Sequence, residues 1–129
     1  KLGMERGGVL LALLDEIARE AGDAKTLAIL SNDCKDIAWW MVETASLDDR
    51  LAGSVPFLEM CAVAVAGWQL LRQARAAGEA GAPSSLARTK PVVARWFLEH
   101  VVPAASGLKA AAMGGADLLY ALSAEELAL

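Results

Sequence analysis

Apolar residues return along this chain at steps of three and four, and no period-two alternation lasts long enough to make a strand. Over residues 9–21, Leu10, Leu13, Leu14 and Ile17 share one face, while Asp15, Glu16, Arg19 and Glu20 occupy the other. Gly22 is placed to stop that helix and Asp23 to cap the next. In the second helix Leu27, Leu30, Cys34, Ile37, Met41 and Thr44 form a narrow heptad-like seam, the pattern of a helix in an antiparallel bundle. "SLDDR", residues 46–50, reads as a break.

A third helix is expected from there to about residue 77. Pro56 suits a first turn, where a missing N–H is harmless. This helix is apolar nearly all round, which predicts the most enclosed member of a bundle. Residues 76–85, "AAGEAGAPSS", form the one clear loop. A fourth helix carries Val93, Trp96, Phe97, His100, Val101, Ala104 and Leu108 along one broad stripe, and Pro103 should bend or split it. "MGG", residues 113–115, ends it; "ADLLYAL" makes a short helix, and Ser123 with Glu126 matches a capping box. The sum is an all-α fold, an up-down four-helix bundle with a short C-terminal helix, in one domain spanning 1–129.

Composition narrows the function more than the fold. A chain of 129 residues buries roughly two-thirds of its unfolded surface, enough for a core without metals or disulfides. The net charge of -4 argues against nucleic acid as a partner. Cys34 and Cys61 sit inside apolar helical patterns, so free thiols, a reducing compartment and a cytoplasmic location are expected. The apolar run 54–71 is interrupted by Glu59 and Gln69 and falls short of the ~20 residues of a membrane span. "KLGMERGG" has no apolar signal core and no initiator methionine, so a piece of a longer protein is expected.

The usual chemistry is missing. The only histidine, His100, has Glu99 beside it, but helical neighbours point about 100° apart; packing at a core or interface is favoured over catalysis. Phe97 stands where a di-iron bundle would need glutamate, and there is no C-x-x-C-H haem motif and no nucleotide-binding glycine motif. Asp33, Asp36 and Glu43 share a face of the second helix, read as solvated rather than metal-binding. Arg72, Arg75, Arg88, Lys90 and Arg95 cluster around one loop with Glu79 the only acid among them, candidates for phosphate or interdomain contacts. Trp39 and Trp40 are adjacent and cannot both face one narrow core, so at least one is a candidate interface residue.

The helix "VPFLEMCAVAVAGWQLLRQAR", a loop, and then "KPVVARWFLEHVVPAASGLKAAAMGGADLLYAL" resemble the extra C-terminal domain of long bacterial acyl-CoA dehydrogenases, similar to 3-methylmercaptopropionyl-CoA dehydrogenase. Ala94, Arg95, Trp96, Phe97, Glu99, His100 and Pro103 carry the most distinctive segment. The resemblance spans nearly the whole chain, best over residues 54–122. It implies a parent flavoenzyme of fatty acid metabolism that oxidises acyl-CoA to 2-enoyl-CoA with FAD. The catalytic glutamate and flavin contacts would lie in an upstream core, so no residue of this chain inherits them. The bundle would brace that core or an oligomer interface, and its basic cluster would meet CoA phosphates. Two rivals remain: a stand-alone helical module that self-associates through Trp39 and Trp40, and a bundle holding a small apolar ligand between helices.

Overall fold

In the computed structural model, which describes residues 4–79, 81 and 83–128, the periodicity resolves into helices, with no strand among the described residues. They are α1 (Gly8–Glu20), α2 (Lys25–Glu43), α3 (Leu47–Ala52), α4 (Ser54–Ala77), α5 (Ser84–Trp96), a π-helical turn (Phe97–Val101), α6 (Val102–Ser106), α7 (Lys109–Ala112), a 3-10 turn (Asp117–Tyr120) and α8 (Ala124–Leu127). Four long segments make the bundle: α1, α2, α4, and the run from α5 through α6. Helices α2 and α4 are the inner pair, with α1 on one side and α5–α6 on the other.

The turn between α1 and α2 is tight because Gly22 adopts φ +56, which an L side chain resists. Asp23 does not cap α2; Ala24 occupies that position and no side chain caps the helix. The seam of α2 holds from Leu27 to Met41, with Ser31 and Ala38 added, while Thr44 lies exposed at the helix end. In α1 the buried face is Leu11, Leu14, Ile17 and Ala21, with Leu10 and Leu13 only half-buried. Burying a side chain of this size contributes roughly 1.5–3 kcal/mol before chain entropy is subtracted.

Three further expectations are overturned. "SLDDR" is no break: Ser46 and Asp49 form a reciprocal capping box that starts α3. Asp49 also accepts the Ala116 amide at 2.9 Å, tying α3 to the C-terminal segment. Nor is α4 the most enclosed helix. It buries Phe57, Met60, Ala64, Gly67 and Trp68 on one stripe and leaves Val55 and Leu58 in the open. By length and composition α4 could cross a membrane, but here its buried stripe is part of the bundle core.

The third reversal is the face of the fourth segment. Ala94, Leu98, Val102, Ala105 and Ala112 point inward, whereas Val93, Trp96 and His100 point out. Close approach decides it. A Cβ at Gly67 of α4 would sit 3.3 Å from Val102 and 3.5 Å from Leu98, so these two side chains fill the space that α4 leaves open by carrying no side chain there.

Pro103 splits the segment as expected. Its ring has no N–H, and the turn before it loosens into a π-bulge in which Val102 N–H reaches Phe97 rather than Leu98. The expected loop narrows to 78–83, of which residues 80 and 82 lie outside the description.

Candidate functional site

The five basic residues do not converge. Arg72 stacks on Trp68, its guanidinium carbon 4.9 Å from the ring, while Trp68 Nε1 donates to Glu20 at 2.7 Å. Arg75 lies against Gly22, 3.3 Å from where a Cβ would stand. Both therefore turn toward the C-terminal end of α1, where cations suit the helix dipole. Lys90 donates to Gln73 at 2.7 Å, bridging α5 to α4. Arg95 pairs with Glu99 at 2.7 Å, and that hydrogen bond pushes its pKa up. Arg88 stands apart, on a shallow groove with Thr89 and Val92.

A second groove of about 450 Å3 runs between the start of α2 and the α4–α5 pair. Its floor includes Leu71, Ala94 and Leu98, and its rim Asp23, Lys25 and Glu99. It does not fit a flavin dinucleotide, because the charges that line it sum to zero, Asp23 and Glu99 against Lys25 and Arg95, and Arg95 is already engaged by Glu99. It is also open, with nothing to enclose an isoalloxazine.

His100 is exposed and stacks against Trp96 with ring centroids 5.6 Å apart. It is a surface residue, not a core one. The acidic face of α2 is not simply solvated. Lys109 Nζ donates to Asp33 at 2.8 Å and to Asp36 at 2.7 Å, and Glu43 pairs with Arg6. These two hydrogen bonds, Asp33's first, raise the Lys109 pKa. No group of three potential metal ligands forms among the described residues.

The tryptophans divide as the sequence demanded: Trp40 packs on the core and Trp39 is 50% exposed. A larger surface was not anticipated. Leu47, Leu51, Val55 and Leu58, each 62–72% exposed, recur at four-, four- and three-residue steps across α3 and α4. Gly53 joins the two helices with φ -85 and ψ -4, so the chain turns there without leaving the right-handed side. Two residues beyond the Asp49–Ala116 tether, the chain adds Leu118, Leu119, Tyr120 and Leu122, all exposed. The signal in the sequence is the apolar character of residues 54–58, which the reading of an enclosed helix places in the core, while Leu47 falls in the expected break.

A family model described as acetyl-CoA dehydrogenase C-terminal like matches residues 10–123. No curated relative matches the chain, and no solved structure does.

Proposed function

The chain belongs to the acetyl-CoA dehydrogenase C-terminal-like family, and on that premise we propose that it is a non-catalytic bracing domain of a flavoenzyme. In this reading the parent chain's upstream core binds FAD and oxidises acyl-CoA to 2-enoyl-CoA, in the cytoplasm. The 129 residues form one domain that covers part of that core or of an oligomer interface.

The observation that carries the reading is the apolar stripe of Leu47, Leu51, Val55 and Leu58. An isolated soluble surface rarely leaves so regular a row open. Covering it contributes roughly 1–2 kcal/mol per side chain, since each is already about one-third buried. The basic residues support an internal role. Arg72, Lys90 and Arg95 have partners within the chain, which leaves Arg75 and Arg88 as the candidates to meet CoA phosphates.

The test is the double variant Leu51→Asp/Leu58→Asp in the full-length parent, beside the same change in the 129-residue chain. Both sites are exposed, so the isolated chain should keep its melting temperature. The full-length protein should melt at a lower temperature and lose its compact association, with flavin bleaching by acyl-CoA retained. Unchanged stability in the full-length protein would remove this face as the contact. A colourless full-length protein, or a stable oligomer of the 129-residue chain that the double variant dissolves, would favour the self-associating module.

A further inference from the structure

The chain has two cysteines, and the fold brings them together. Cys34 lies on the buried seam of α2 between Leu30 and Ile37, with no exposed surface. Cys61 lies on α4 beside Met60, at the edge of the same core, and is partly open to solvent. Helices α2 and α4 are packed antiparallel: a Cβ at Gly67 would lie 3.3 Å from Leu27 and one at Gly53 3.2 Å from Met41, a register that sets Cys34 level with Met60 and Cys61. Both are free.

We propose that Cys34 and Cys61 form a redox-sensitive pair that peroxide converts into a disulfide joining α2 to α4. Two buried thiols on separate faces would be mere small apolar residues. Here the only two thiols of the chain meet across the inner helix pair, and one has a path to solvent.

The hydrogen bond to Cys61, then burial, then the charge of Asp33 all hold the proton on Cys34. Cys61 is therefore the thiol that ionises first and meets the oxidant first. Its thiolate attacks one peroxide oxygen; the O–O bond breaks, hydroxide leaves, and the sulfur becomes a sulfenic acid. The Cys34 sulfur then attacks the sulfenic sulfur. The S–O bond breaks, the S–S bond forms, and the departing hydroxide takes the Cys34 proton as water. Two thiols lose two electrons, and one peroxide gains them to give two waters.

The experiment is peroxide treatment of the 129-residue chain, alkylation of remaining thiols under denaturing conditions, and intact-mass measurement. The expected product is a monomer 2 Da lighter (two hydrogens lost), with neither cysteine alkylated, reversed by dithiothreitol, and melting at a higher temperature than the reduced chain. The same treatment in unfolding urea should form the bond at least about tenfold more slowly, because the fold supplies the proximity. In Cys34→Ser the sulfenic acid at Cys61 should persist and be trapped by dimedone. Stepwise oxygen addition at Cys61 with Cys34 still alkylatable would overturn the proposal. So would disulfide-linked dimers in place of the monomer, or equal rates in the folded and unfolded chain.

Discussion

Thr26 of α2 donates its hydroxyl to the carbonyl of Leu98 across 2.8 Å, and that carbonyl is one the helix itself abandons. In an α-helix Leu98 would accept from Val102, but Val102 N–H turns to Phe97. In a π-helix it would accept from residue 103, which is proline and has no N–H. A side chain from another helix fills the vacancy. The bond is thus the tertiary complement of a proline in the sequence.

Thr26→Val removes that donor while keeping the shape, and leaves a part-buried carbonyl unsatisfied. A loss of about 1–3 kcal/mol is expected in denaturant unfolding, with Thr26→Ser close to wild type. In a Pro103→Ala background the restored N–H can serve the Leu98–Glu99 turn, so Thr26→Val should be less damaging there. A double-mutant cycle with no coupling would contradict this account.

Gly53→Ala should be among the most damaging single changes. A Cβ there would stand 2.1 Å from the Ala112 carbonyl oxygen and 3.0 Å from its carbon, and neither backbone atom can swing away. The junction of α3, α4 and α7 must open, at a cost of about 3 kcal/mol or more. Gly8→Ala, where nothing lies within 4 Å, is the matched control and should be neutral or slightly stabilising. Comparable melting temperatures for the two variants would refute the contact.

Ser31 is fully buried on α2, and its Oγ finds no partner among the described residues. Ser31→Ala removes an unpaired hydroxyl and should stabilise by about 1 kcal/mol. The check is the urea midpoint; a fall in that midpoint would mean the hydroxyl is satisfied.

Lys109 ties α7 to α2 through Asp33 and Asp36, and its pKa is raised above the ordinary 10.5. A raised folded pKa means this contribution is complete below about pH 10 and fades as pH climbs through the folded value. Lys109→Met should lower stability by about 1 kcal/mol at neutral pH and low salt, and should flatten the alkaline decline. High salt should shrink the difference between the two proteins.

At the acid end Asp49 behaves oppositely. The Ser46 hydroxyl first, then the Ala116 amide, hold its pKa below the ordinary 3.8. Its contribution is present above that value and is lost as pH falls through the lower folded one. The amide resonances of Gly115 and Ala116 should shift in that window in wild type and not in Asp49→Asn.

The periodicity of the chain determined that it is helical and roughly where helices begin and end. The seam from Leu27 to Met41, the stop at Gly22 and the capping box at Ser123 and Glu126 follow from local chemistry that needs no partner. Local chemistry also explains why Trp39 and Trp40 part company. Faces were another matter. Where a segment is apolar on both sides, as at 47–62 and 93–108, hydrophobicity alone cannot say which side is inside. That was decided by where backbones can approach: at Gly67 and Gly53, where no Cβ intervenes, and at Ala94 and Ala105, where a methyl is all that does. Only the tertiary structure joined Cys34 to Cys61, Asp49 to Ala116 and Thr26 to Leu98, because each pair spans a distance along the chain that local propensity cannot see. The apolar stripe left open on α3 and α4 is the remainder after that packing is satisfied.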